Sequence, residues 1–253
     1  METLRTLWDT FFDAESMREA LPDMLTIGLP NTLLLAAASA LLGTLLGMVL
    51  AVCGLSHSKW LRWPARVYTD VFRGLPAAVT ILLVGVGLAP LGLQLWGSNP
   101  YPLGILALSL IAGAYIGEIF RAGIQSVEAS QLEATRALGF SHRQAMRLVV
   151  IPQGVRRVLP AWVNQLIALI KDSSLVYFLG LLASQRELFR IGQDFAANTG
   201  NASALLLAGL FYLVITVPLT HLVNAVDRRL REGRPSEDEA HVEPVAALEG
   251  TQP

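Results

Sequence analysis

The chain has 253 residues, 53% hydrophobic and 15% charged, with a net charge of -1 and a mean hydropathy of +0.50. A soluble domain of this size carries about 25% charged residues, so these averages exclude an ordinary soluble enzyme and point to an all-α, polytopic membrane protein. One cysteine, Cys53, excludes an intrachain disulfide, and four scattered histidines without ligand spacing argue against a metal centre; no cofactor is expected.

Residues 1–23 are acidic and amphipathic and lack the apolar centre of a cleavable signal, so insertion is expected to use the first span itself. Five stretches then approach the roughly 20 apolar residues a bilayer crossing needs: about 25–55, 75–96 (with a start as early as 67), 103–120, 158–182 and 202–226. Each carries interior Gly, Ser or Ala, which let membrane helices approach closely. The segment 91–102 reads as a short uncharged outer connection in which Trp96 and Tyr101 suit the membrane interface, and 186–201 as a longer outer loop with helical content.

The loops orient the chain. Fourteen of the 19 Lys and Arg residues fall after the first, third and fifth stretches, and only Arg5, Arg18, Arg186 and Arg190 fall on the opposite side. The positive-inside rule therefore predicts an outer N-terminus, a cytoplasmic C-terminus and a cytoplasmic 127–157 connection. The expected organisation is an extracytoplasmic segment 1–23, a transmembrane domain 24–228 and a polar, disordered tail 229–253.

The 131–152 stretch, QLEATRALGFSHRQAMRLVVIP, is water-compatible in a chain that is mostly apolar. Leu132, Thr135 and Leu138 share a helical face, and Glu133 and Arg136 flank it. Gly139 suits a left-handed helix stop. Ser141 and Gln144 have capping-box spacing, and Pro152 is expected to end the second helix. Three readings fit this elbow: a helix lying on lipid, a DNA-binding helix-turn-helix, and a knob docking into a partner protein. Tethering between two spans speaks against the second, so no nucleic-acid partner is expected.

The same residues carry a family resemblance. EATRALG, followed by VVIP, resembles the EAA loop of binding-protein-dependent ABC transporter permeases, with Glu133, Ala134, Gly139, Val149, Ile151 and Pro152 on the pattern and Thr135 departing from it. YTDVFRGLP (68–76), AYIGEIFRAGIQSV (114–127) and LPAWVNQLIALIKDSSLVYFLG (159–180) resemble three further blocks of the polar amino acid uptake branch; EASQ (128–131) departs from its usual Pro-Lys-Gly-Gln. The resemblance spans about 24–228. It implies a MetI-like permease fold in the bacterial inner membrane and an amino acid importer. Partners would be ATP-binding cassette subunits, an extracytoplasmic solute-binding protein and a second permease subunit. Glu133, Ala134, Arg136 and Gly139 would couple to the ATPase. The chain's own lysines, Lys59 and Lys171, do not follow a glycine, so no phosphate-binding Gly-Lys-Ser/Thr is present and ATP hydrolysis would belong to another chain.

The fourth stretch carries Asn164, Gln165, Lys171 and Asp172. A charge at the centre of a span costs about 2.5–3.5 kcal/mol on insertion scales. The seven-residue spacings put the four side chains on one stripe, expected to border the translocation path or to bond to other helices, with Lys171 and Asp172 near the middle of the span. Glu118 is a further candidate for the path, although an ion pair with Arg121 explains it more simply. The rival to an ATP-driven importer is an ion-coupled transporter or channel that uses these charges.

Overall fold

The computed structural model describes residues 2–232, and α-helices dominate them. α1 (Glu2–Phe11) and α2 (Ala14–Asp23) lead through a π turn at Met24–Gly28 into α3 (Leu29–Leu55). The second apolar stretch is not one rod. α4 (Lys59–Gly74) meets α5 (Ala77–Gly87) at a bend of 108°, and α6 (Ala89–Trp96) completes the stretch. The break falls at Leu75–Pro76, because proline pushes the residue before it out of the helical region: Leu75 is extended, with ψ 139.

α7 (Tyr101–Gln125) is the buried axis of the molecule. Small residues bring it against α3. A β-carbon on Gly47 would lie 2.9 Å from the Gly117 nitrogen, and one on Gly43 would lie 2.6 Å from Ala112 Cβ. Leu35, Ile81, Leu108, Ile116, Leu169 and Val176 fill the main core around this contact. A second cluster of Met24, Leu188, Ile191, Ala204 and Ala208 ties the N-terminal region to the last helix. The opposite face of α3 leaves Leu34, Leu41, Leu45, Val49 and Val52 exposed, an apolar stripe suited to lipid.

α8 (Ala129–Ala137) and α9 (His142–Ala145) form the elbow, and α10 (Ile151–Asp172) follows. Pro152 does not end a helix, as sequence suggested. It stands in the first turn of α10, and the π turn at Met146–Val150, in which the Ile151 N–H reaches back to the Met146 carbonyl, carries the helix from α9 past the missing proline N–H. α10 therefore begins earlier than expected and stops at Asp172, giving way to a 3-10 turn, Ser173–Leu179. α11 (Leu188–Thr199) is the helical part of the 186–201 loop, and α12 (Ser203–Glu232) is the last helix. α12 extends into the stretch expected to be tail; the rest of that tail, 233–253, lies outside the described residues.

Among the described residues, Trp8–Leu55, Tyr101–Gln125 and Ser203–Ala225 contain helices long and apolar enough to span a membrane, and the α4–α5 pair passes that test only when taken together across its bend of 108°. α10, with 22 residues, is about 33 Å long at 1.5 Å per residue, but it is not among the helices apolar enough to span, because it carries Arg156, Arg157, Lys171 and Asp172. Tyr101 is no interfacial side chain: it is buried and donates to the Gln185 carbonyl at 2.9 Å.

Candidate functional site

The elbow is rigid within itself and uncovered outside. α8 ends where the Leu138 N–H reaches the Ala134 carbonyl at 3.2 Å, and the Gly139 N–H reaches Arg136 at 3.0 Å. Gly139 has φ +89, so any side chain there is strained by the backbone rather than by crowding, since a β-carbon would meet nothing within 4 Å. The capping box closes as expected: Ser141 Oγ accepts from the Gln144 N–H at 3.3 Å, and Gln144 Oε1 accepts from the Ser141 N–H at 2.9 Å. Thr135 is the buried anchor of α8, whereas Glu133, Ala134, Arg136, Leu138 and Phe140 are exposed. Leu138 leaves the face it was expected to share with Thr135 because α8 has ended before it. Glu133 and Arg136 form no ion pair with each other. One side-chain bond moors the elbow to α10, in which Gln153 Nε2 donates to Gln131 Oε1 at 2.7 Å; beside it the Arg157 guanidinium donates to the carbonyl of Ser126, the C-cap of α7.

The polar stripe of α10 also stands open. Asn164 and Lys171 are exposed and Gln165 and Asp172 half-buried, all on one side of the helix. Two expectations need correction. Lys171 and Asp172 close the helix rather than occupy its middle, because α10 stops at Asp172 and a 3-10 turn begins at Ser173. Among the described residues, neither bonds through its side chain to another helix; Lys171 offers its carbonyl to Ser174 Oγ at 2.7 Å.

Glu118 is paired as expected: Arg121 Nε donates to Glu118 Oε2 at 3.0 Å, and a second guanidinium nitrogen meets Oε1. The pair borders a cavity of about 210 Å³ that sequence reasoning did not anticipate, lined by Leu50 and Gly54 of α3, Ala65, Arg66, Thr69, Asp70 and Arg73 of α4, and Gly117, Glu118 and Arg121 of α7. Glycines 54 and 117 supply room, and three arginines face two carboxylates. The Arg73 guanidinium sits 5.5 Å from the Tyr115 ring centre, a cation–π contact. A cavity with both signs of charge can hold a small zwitterion by its carboxylate and ammonium ends. Arg66, Asp70 and Arg73 read as loop charges in sequence, and only the bend after Gly74 turns them toward α7.

Glu187 is the other residue that sequence reasoning passed over. It is fully buried and caps α11, accepting from the Phe189 and Arg190 N–H groups at 2.6 Å each, and from the Tyr212 hydroxyl at 3.0 Å. Burial pushes its carboxyl up to about 7 against the opposing pull of those bonds and of Arg190. The signal was weak, since the residues that usually cap a helix are Ser, Thr, Asp and Asn, and glutamate is more common in the first turn.

These features now have relatives to stand beside. The family described as binding-protein-dependent transport system inner membrane component matches residues 43–232. The chain belongs to that family. Among curated relatives, the arginine transport system permease protein ArtQ of Bacillus subtilis is 38% identical over 205 residues, 81% of this chain and 91% of its own length. The glutamate/aspartate import permease protein GltK of Escherichia coli O6:H1 is 36% identical over 224 residues, 86% of this chain and 98% of its own. In three dimensions, a chain from the crystal structure of an amino acid ABC transporter with histidines superposes with a TM-score of 0.75 at 32% identity, covering 85% of this chain and 97% of the other. A chain of the inward-facing MetNI methionine ABC transporter reaches 0.69 at 19% identity, a likeness of fold. This permease is thus a multi-pass subunit of the bacterial inner membrane and the transport partner, not the ATPase, of an ABC importer. The family sets aside the DNA-binding and ion-coupled readings of the elbow and the intramembrane charges.

Proposed function

We propose that the permease crosses the membrane five times with its N-terminus outside, and passes polar or charged amino acids inward through a path bordered by the α10 stripe and the mixed-charge cavity. Relatives named for arginine and for glutamate/aspartate transport support an amino acid as cargo. Within the path, Glu118 and Asp70 attract the ammonium end of the substrate, and Arg66 and Arg73 its carboxylate. Asn164, Gln165, Lys171 and Asp172, without side-chain bonds to other helices, face that path or the second permease subunit. A solute-binding protein delivers the amino acid from outside, and side-chain selection rests largely there.

The elbow is the handle by which ATP-binding cassette subunits move the spans. The observation that carries this reading is Gly139: a left-handed stop between two short helices whose outer side chains are exposed. Glu133, Ala134 and Arg136 present the contact surface, Gly139 fixes its angle, and the Gln131–Gln153 bond transmits its movement to α10. Uptake into proteoliposomes containing the whole transporter tests it. With Gly139→Val, the permease inserts normally but loses ATPase association and ATP-driven uptake together. Undiminished association and uptake in that variant would refute the coupling role.

A further inference from the structure

α4 divides its circumference among three environments. One side packs inward: Ala65 and Thr69 are buried, and the Tyr68 hydroxyl donates to the Leu110 carbonyl at 2.9 Å. A second side is apolar and bare, with Trp60 90% exposed, Val67 39% and Val71 47%. The third is basic, formed by Lys59, Arg62 and Arg66. The 108° bend to α5 turns α4 nearly across the direction of α5. A helix lying in the plane of a bilayer surface has this composition, with aromatic and aliphatic side chains in the acyl boundary and cations at headgroup level.

The first two turns, KWLRWPAR, contain no acidic residue, and among the described residues neither Lys59 nor Arg62 forms an ion pair. Between them opens a cavity of about 610 Å³ lined by Lys59, Trp60, Arg62, Trp63, Pro64 and Arg66. Its occupant must offer an anion to uncompensated cations and hydrocarbon to two indole rings at once. Free phosphate has no use for the tryptophans. A second copy of this chain, related by a twofold axis through this face, would bring like charges together. A phospholipid with a net negative headgroup satisfies both halves.

We propose that the start of α4 is a binding site for the headgroup of an anionic phospholipid in the cytoplasmic leaflet, with Lys59 and Arg62 on the phosphate and Trp60 and Trp63 against the upper acyl chains. The leaflet assignment rests on the inward orientation proposed above; the headgroup preference does not. Held there, the lipid would brace α4, whose next two turns line the mixed-charge cavity.

Tryptophan quenching tests the site in the full-length permease, reconstituted into mixed phosphatidylcholine–phosphatidylglycerol bilayers with bromines on the acyl chains of one lipid or the other. The contribution of Trp60 and Trp63 is the fluorescence lost in the Trp60→Phe/Trp63→Phe variant. At equal mole fraction, brominated phosphatidylglycerol is expected to be preferred about fivefold or more, the scale of a single surface cation at an anionic leaflet. Lys59→Gln/Arg62→Gln should bring the two lipids to parity, and Lys59→Arg/Arg62→Lys, which keeps the charges, should restore the preference. Equal quenching by both lipids in the unaltered protein would overturn the proposal, leaving a lipid-facing surface without headgroup choice. So would an absence of quenching by either, which would mean that another protein surface covers the face. Orientation is read separately, by labelling a cysteine at position 57 in a Cys53→Ala chain. Labelling from outside would reverse the leaflet and leave the headgroup result standing.

Discussion

The connection before α11 and the elbow after α7 are both short breaks between long helices, and they are built on opposite principles. Residues 184–187 are knitted into the body. Asn31 Nδ2 donates to the Ser184 and Arg186 carbonyls at 3.0 and 3.1 Å, and Gln185 Nε2 to Asn99 Oδ1 at 2.7 Å. Arg186 pairs with Asp23 at 2.8 Å, and Glu187 takes the Tyr212 hydroxyl. The bonds reach the α2–α3 region, the start of α7 and α12. Irregular backbone packed into the protein here is satisfied by protein groups. The elbow spends its hydrogen bonds on its own turn and leaves its outer face bare. One region holds the spans together. The other is stiff but unattached on one side, as a handle must be.

That contrast sets a graded series of outcomes. The largest loss of stability is expected from Glu187→Ala, which strands two amides and the Tyr212 hydroxyl in a buried site; at about 1–3 kcal/mol for a stranded group, the loss is about 3 kcal/mol or more. It should appear as a lowered thermal midpoint of the detergent-solubilised permease. Asn31→Ala, which frees two carbonyls with partial access to water, should cost about 1–2 kcal/mol by the same measurement.

A pH effect of intermediate size accompanies Glu187. Because its carboxyl is pushed from 4.5 up to about 7, the folded chain retains a proton in that interval that the unfolded chain has released. Its contribution to stability is therefore present at low pH, falls as pH rises through the interval, and levels off above about 7. The difference in thermal midpoint between the unaltered protein and Glu187→Gln isolates this slope from the other carboxylates; a difference that does not change with pH would contradict it. Smallest in stability are Glu133→Ala and Arg136→Ala, within about 0.5 kcal/mol as for exposed sites elsewhere. Yet these two should weaken ATPase association while Asn31→Ala leaves it intact. If the outer substitutions weakened association as strongly as the elbow substitutions, the division of labour would be wrong.

Much of the elbow was legible because its signals are local. A glycine at a left-handed stop and the Ser141–Gln144 spacing need no tertiary information, and both stand where expected. Three of the five long apolar runs, the first, third and fifth, were legible for a similar reason, since composition and length suffice. What was missed depended on geometry between elements. Pro152 reads as a helix stop unless the preceding π turn is known. Lys171 and Asp172 seemed central because the helix was expected to run on to about 182, where a 3-10 turn from Ser173 ends it instead. Tyr101 looks interfacial until the 183–187 connection folds over it. The Arg66–Asp70–Arg73 side of the cavity required the 108° bend, which Leu75–Pro76 hints at without giving its size.

The central claim, that the elbow is an inward-facing handle gripped by an ATP-binding subunit, is tested most directly at position 142. His142→Cys in a Cys53→Ala chain carries a single thiol at the start of α9. An impermeant maleimide should label it only from the cytoplasmic side in the permease alone, and the ATP-binding subunit should protect it once bound. Labelling from the outside, or undiminished labelling in the assembled transporter, would contradict the account.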